Sequence, residues 1–175
     1  MKTRMLLVAA AVALYGCGSV KKAFTTPQAS TQVAGEPGAP SPKPGLDWSF
    51  TPAGPNAALV YGAASGSPSL MMACAARSGS VSIGQLAPGV QDAPAAALTL
   101  VSGTVKSTSV ATVQPWPGDA SRTVASARFS TLDPIVQSFA HHRWIGVQAA
   151  GADKPDSYVE QPGTTAIAQF LAFCG

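Results

Sequence analysis

Apolar positions in the second part of the chain recur mostly at intervals of two, in short runs separated by Gly, Pro, Ser and Asp. Every second residue from Leu70 to Cys74 is apolar, and Val81 and Ile83 resume the alternation after a Ser-Gly turn. A period of two is typical of half-buried strands. Residues 69–84 are therefore predicted to form a β-hairpin.

Other apolar runs predict further strands, centred on Ala57–Tyr61, Leu98 and Leu100, Thr104–Val113, Arg122–Ser130 and Trp144–Ala149. The phase of the apolar positions slips between Val105 and Val110, which predicts a bulge or bend. Pro115-Trp116-Pro117-Gly118 is predicted to be a loop, because proline cannot donate to a ladder.

Two segments have the period of a helix instead. Asp133 is predicted to be the N-cap of the first helix, and Pro134 is predicted to occupy its first helical position. The predicted helix ends near His142, and its apolar stripe has i, i+3, i+4, i+7 spacing and consists of Leu132, Ile135, Val136 and Phe139. A second helix is predicted from about Thr164, with Ile167, Phe170, Leu171 and Cys174 on one face.

Composition fits a folded chain without a nucleic-acid surface. Apolar residues make up 46% of the 175 residues, and the 11 basic residues exceed the 8 acidic ones. Five of the basic residues precede residue 46, however, and the remainder of the chain has a net charge of −1. A nucleic-acid binder needs a basic stripe to neutralise phosphates, so this class is excluded.

The N-terminus has the pattern of an export signal. Lys2 and Arg4 precede an uncharged apolar run of 11 residues, Met5–Tyr15, whereas a membrane-spanning helix needs about 20. The run ends in Leu14-Tyr15-Gly16-Cys17, which resembles the lipobox of bacterial lipoproteins. Secretion with a free Cys17, or an uncleaved apolar tail, is the alternative.

The resemblance implies cleavage after Gly16, a diacylglycerol on Cys17, and acylation of the new amine with a chain such as palmitate. Gly18 stands where the family has Asp for retention in the inner membrane, which favours the periplasmic face of the outer membrane. The resemblance thus implies that residues 1–16 are a signal peptide, that the Pro- and Gly-rich residues 17–45 form a lipidated tether, and that residues 46–175 form the periplasmic domain.

Two cysteines then remain, Cys74 on a predicted strand and Cys174 at the end of the last helix. An exported chain can form a disulfide, and this pair allows one intramolecular bridge; two buried free thiols or a catalytic thiol are the alternatives. The predicted fold is α+β, an antiparallel, partly curled β-sheet with two helices packed on one face or end. The bridge would join the C-terminal helix to the sheet.

Two charged clusters raise the question of chemistry. His141 and His142 could hold a metal or act as an acid/base pair, but adjacent helical residues point about 100° apart, so donors at a helix C-terminus are favoured. Asp153, Asp156 and Glu160 are predicted to lie in a solvated loop and not in a calcium site. No catalytic residue, metal ligand or cofactor motif is assigned.

Trp116 is the candidate for a binding surface, because flanking prolines hold it rigidly; the alternative is packing over the end of the sheet. Trp48 and Trp144 are predicted to be core residues. The expected function is a non-enzymatic binding or structural role, with the membrane contacted through Cys17 and an envelope protein or peptidoglycan as partner. An inhibitor of an envelope-lytic enzyme such as lysozyme and an envelope hydrolase are the alternatives.

Overall fold

The computed structural model describes residues 39–86, 95–116, 119–149 and 152–175. Its elements are nine strands and two helices in these ranges: β1 Asp47–Ala53, β2 Asn56–Gly62, β3 Leu70–Ala75, β4 Ser80–Leu86, β5 Ala95–Ser102, β6 Val105–Trp116, β7 Asp119–Ser130, α1 Pro134–His142, β8 Trp144–Ala149, β9 Asp156–Val159 and α2 Ala166–Cys174.

The strands form one antiparallel sheet in the order β1-β2-β3-β4-β7-β6-β5-β8-β9. The sheet curls until its two ends nearly meet. The backbone N–H of Gln161, just after β9, donates to the Asp47 carboxylate at the start of β1 over 2.9 Å. The Gln161 side chain also donates to the Lys43 and Leu46 carbonyls, both at 2.8 Å. One residue thus ties the last strand to the chain that leads into the first.

One face of the curled sheet carries the apolar core. Alternate residues of β2, β3 and β4 point inward, and they include the fully buried Leu59, Met72 and Ile83. Helix α2 packs against β1, β2 and β3, whereas α1 packs against β5, β6 and β8. Phe170 and Phe173 of α2 lie 6.5 and 6.2 Å from the ring of Phe50 on β1. The sheet and both helices therefore share one core.

Most of the elements predicted from local patterns are confirmed. The β3–β4 hairpin forms with Leu70 opposite Gln85. Helix α1 begins at Pro134, and the N–H of Ile135 donates to the Asp133 carboxylate over 3.1 Å. Ile135 and the other members of the predicted stripe are buried, with one exception: Leu132 is 81% exposed, because it precedes the helix and faces solvent.

The predicted bulge between Val105 and Val110 is wrong. Residues 105–112 pair with β5 in continuous register. Val110 differs in phase from Val105 because it points outward and is 78% exposed. The irregularity lies instead between Pro115 and Trp116, which belong to β6 and not to the predicted loop; proline is tolerated at such a bulge.

A two-residue turn joins β5 to β6. Gly103, its first residue, has φ +54°, as a type II′ hairpin turn requires of its first central residue. A Cβ atom at this position would also collide with the imidazole of His142. Glycine is therefore needed here for both backbone conformation and close packing against α1.

Candidate functional site

A disulfide joins Cys74 of β3 to Cys174 of α2, as the sequence predicts. Cys174 is fully buried and Cys74 nearly so. The backbone N–H groups of Arg77 and Gly79 donate to the carbonyls of Phe173 and Cys174, both at 2.9 Å. The end of α2 is therefore attached to the β3–β4 turn by one covalent bond and two hydrogen bonds.

A buried ion pair lies where both helices meet the sheet. Arg143 ends α1 with φ +63° and forms a salt bridge with Glu160, which follows β9. Glu160 is 1% exposed and also accepts a hydrogen bond from the backbone N–H of Ile167 over 3.1 Å. Arg143 donates in turn to the Thr164 carbonyl over 2.9 Å. Because Thr165 provides no side-chain cap to α2, Glu160 satisfies a first-turn N–H that would otherwise lack a partner.

Burial raises the pKa of the Glu160 carboxyl. The hydrogen bond from Ile167 and the charge of Arg143 lower this pKa, but they do not outweigh the loss of solvent. The prediction that Glu160 lies in a solvated loop with Asp153 and Asp156 is therefore wrong. Asp153 is exposed, and Asp156 begins β9; only Glu160 is buried, because the return of the chain through β9 carries it beneath α2.

The His141–Arg143 segment forms the C-terminal end of α1. The two imidazoles stack edge to face with ring centroids 4.8 Å apart, while the Arg143 N–H donates to the Phe139 carbonyl and ends the helix. Cations at a helix C-terminus are favoured by the helix dipole. Throughout the described part of the chain, no three His, Cys, Asp or Glu side chains are grouped to hold a metal ion.

A polar residue on the inner face, Gln85, spans the interior of the curled sheet. From β4 its amide nitrogen reaches the opposite end of the sheet, where it lies 3.3 Å from the Val147 carbonyl, 3.0 Å from the Tyr158 hydroxyl and 3.4 Å from the Asp156 carboxylate. An amide has two hydrogens, so it can serve at most two of these acceptors at once. The role of Gln85 was not predicted, although its alternation with the inward-facing Val81 and Ile83 was a signal that this polar side chain points inward.

Tyr158, which the Gln85 amide contacts, belongs to a cluster of aromatic rings. Tyr61 lies 5.2 Å from both Trp48 and Tyr158, measured between ring centroids, and Phe139 of α1 lies 5.5 Å from Trp48. Edge-to-face pairs at such distances are favourable. Trp48 and Trp144 are both buried, as the sequence predicts for core tryptophans.

Burial raises the pKa of Tyr158 to about 12, and the charge of Asp156 adds to the effect, while the hydrogen bond from Gln85 opposes it. Burial also raises the pKa of Tyr61. The backbone of Val159 partly offsets the shift at Tyr61, but no described group meets full hydrogen-bonding geometry with its hydroxyl. Neutral tyrosines in a close-packed aromatic cluster are suited to holding the sheet closed.

Trp116, the predicted binding residue, is half-buried at the end of β6. A binding role for it stays a prediction.

The outer face of the sheet has a shallow depression of about 70 Å³ on β3, β4, β7 and β6. It is lined by Met71, Gln114 and Val124 and by four small residues. None of the residues that line it is titratable.

The lipobox and Cys17 lie outside the described residues. Among the residues that are described, no helix has the length and apolar character needed to cross a membrane. Comparison of the chain with protein-family models, curated proteins and solved structures finds no match.

Proposed function

We propose that this protein is a lipid-anchored component of the bacterial cell envelope, with acyl chains on Cys17 and a small binding domain at the periplasmic face of the outer membrane. The observation that carries the proposal is the bridge between Cys74 and Cys174. Disulfides persist in oxidising compartments such as the periplasm and are rare in the cytosol. The bridge therefore agrees with the export signal that precedes Cys17.

A binding role, with an envelope protein or peptidoglycan as partner, is supported by how the structure uses its buried titratable side chains. Glu160 is engaged by Arg143 and by the backbone of α2. Tyr61 and Tyr158 are packed into the aromatic cluster. These groups contribute to the core of the curled sheet, whereas outward-facing residues of its described strands, such as Thr108 and Val110, are exposed.

The intact mass of the protein extracted from native membranes tests the anchor. The expected mass is that of residues 17–175 plus three acyl chains, and reduction should add two hydrogens. The matched control is Cys17→Ser, which should keep the bridge and lose both the lipid and sedimentation with membranes. An unmodified wild-type mass, or one that retains residues 1–16, would overturn the proposal.

Position in the envelope is tested separately. The wild-type chain should fractionate with the outer membrane on a density gradient, and Gly18→Asp should move it to the inner membrane.

The binding role is tested by cosedimentation with purified peptidoglycan and by site-specific crosslinking in intact cells. Inhibition of lysozyme by the purified chain would instead favour the inhibitor role.

A further inference from the structure

Strand β6 pairs with β7 over only part of its length. Pairing begins at Thr112, opposite Ser126, and continues toward Trp116. The rest of β6, residues 105–111, pairs with β5 alone, while the corresponding end of β7 pairs with β4 alone. In the described part of the chain, no strand occupies the second side of residues 105–111. The two strands thus diverge and leave a notch in the sheet.

The direction of the unpaired backbone groups follows from the hairpin register. Ser102 and Val105 flank the two-residue turn, and the flanking pair of such a turn exchanges both hydrogen bonds. Hydrogen-bonded and non-hydrogen-bonded pairs alternate along an antiparallel ladder. Lys106, Thr108 and Val110 therefore belong to non-hydrogen-bonded pairs and direct their N–H and C=O groups away from β5. The hydroxyls of Thr99 and Thr108 lie 2.9 Å apart, which agrees with the closer, non-hydrogen-bonded type of pair.

Solvent reaches this edge. Lys106, Thr108 and Val110 are all exposed, and on the other side of the notch so are Arg128 and Ser130. Val110, in the middle of this 12-residue strand, points outward and is 78% exposed, and no described strand pairs beside it. Outside the β5–β6 ladder, no described backbone group hydrogen-bonds to residues 105–111.

The notch also has a charge. Lys106 and Arg128 are outward-facing cations on its two sides, and neither forms an ion pair with a described residue. Exposed strand edges accept an additional strand, whose main chain supplies the affinity while alternate side chains supply the specificity. Two unpaired cations beside such an edge favour a strand with acidic residues on the outer face.

We propose that the edge of β6 from Lys106 to Val110 binds an extended acidic peptide segment of a partner protein, which adds a strand to the sheet. This inference rests on the proposed binding role and does not depend on the lipid anchor. The edge spans about 14 Å, so a guest of five residues covers it. The guest runs antiparallel to β6, so its residues opposite Lys106, Thr108 and Val110 direct both their acidic side chains to the outer face and their N–H groups to β6.

The probe is a fluorescein-labelled peptide with the sequence Glu-Val-Glu-Val-Glu, titrated with the full chain in detergent micelles and followed by fluorescence polarisation. Saturable binding is expected, with little binding of Lys-Val-Lys-Val-Lys. Methylation of the Glu amide nitrogens should weaken binding about tenfold or more, because it blocks the hydrogen bonds to β6. Methylation of the Val amide nitrogens, which face away from β6, is the matched control and should leave binding nearly unchanged.

Two variants locate the site on the chain. Lys106→Glu should weaken binding of the Glu-Val peptide about tenfold, whereas Lys154→Glu, which makes the same charge change at another exposed lysine, should not. Thr108→Pro removes an edge N–H but no ladder hydrogen bond to β5, and it should also weaken binding about tenfold. Thr99→Val removes the same hydroxyl contact without altering the edge, and should bind normally.

Absence of saturable binding by the wild-type chain up to about 1 mM peptide would overturn the inference. Binding that is indifferent to both amide methylation and Lys106→Glu would also overturn it. Residue-resolved amide exchange adds a further test: the amides of Lys106, Thr108 and Val110 should be unprotected in the free chain and protected by the peptide. Protection in the free chain would assign the edge to another segment or to a second copy. A lipidated chain that binds no peptide would refute this inference and leave the anchor in place.

Discussion

Replacing both Cys74 and Cys174 with alanine should destabilise the domain strongly, because it removes the covalent link between β3 and α2. The two residues are 100 positions apart in the chain. Closing a loop of that length lowers the entropy of the unfolded chain by an amount equivalent to about 4.7 kcal/mol. Residual structure in the unfolded chain reduces this value, so the expected loss in the free energy of unfolding is about 3–5 kcal/mol.

The assay is urea denaturation of the full chain, followed by tryptophan fluorescence, with and without a reducing agent. Buried Trp48 and Trp144 should report loss of the core. The slope of the free energy against urea should increase without the bridge, because the unfolded chain then exposes more surface. Cys17→Ser makes a similar change at the cysteine outside the bridge, and should leave both the midpoint and the slope unchanged.

The size of the loss shows whether α2 is held by the effect of the bridge on the unfolded chain or by its contacts in the folded domain. If the bridge acts through the unfolded chain, reduction and the double alanine variant should agree to within about 1 kcal/mol, the alanine variant being the less stable because it leaves a small cavity. A loss below about 1 kcal/mol with an unchanged slope would refute this reasoning. It would mean that contacts such as those of Phe50 with Phe170 and Phe173 suffice to hold α2.

Three further predictions concern individual residues. Glu160→Gln should lower the free energy of unfolding by about 3–5 kcal/mol, because it leaves Arg143 buried without its counter-charge. The double variant Arg143→Met, Glu160→Leu should recover part of this loss. A loss below about 1 kcal/mol for Glu160→Gln in urea denaturation would contradict the stabilising role of the ion pair. The folded pKa of Tyr158, about 12, exceeds the unfolded value of 10.0, so stability is fully present below pH 10 and should fall by roughly 2–3 kcal/mol between pH 10 and 12. Tyr158→Phe should be less stable at pH 7 through loss of the Gln85 contact, but its denaturation midpoint should depend less on pH in that range; identical pH profiles would exclude Tyr158 as the cause. Asp133→Ala should cost about 1 kcal/mol through loss of the α1 cap, whereas Asp153→Ala at an exposed position should cost little, and equal thermal midpoints for the two variants would contradict the capping role.

The elements that could be predicted are those whose signals are local. The Asp133-Pro134 start of α1 and the alternation from Leu70 to Ile83 are each contained within a few residues, since caps and strand periods act between near neighbours. The disulfide could also be predicted, because one pair of cysteines remains once Cys17 is assigned to the lipid.

Strand β9 was missed because only four residues, Asp156–Val159, form it, and too few positions alternate to show a period. The burial of Glu160 was missed for a related reason. Its partner Arg143 is 17 positions away, and the two meet only because β9 returns beside β8. A carboxylate and a guanidinium separated by that distance carry no local signal of pairing.

By itself, the sequence determined the positions of most strands and both helices, and the pair of cysteines in residues 46–175 that could form a bridge. The tertiary structure alone decided how far the sheet closes, which polar side chains enter it, and where β6 and β7 diverge. The physical reason is that strand period and capping depend on neighbours in sequence, whereas closure depends on contacts such as those of Gln85 with Tyr158, 73 positions away. Val110 illustrates both: its difference in phase from Val105 is visible in the sequence, but only the structure shows that it points outward where no described strand pairs beside β6.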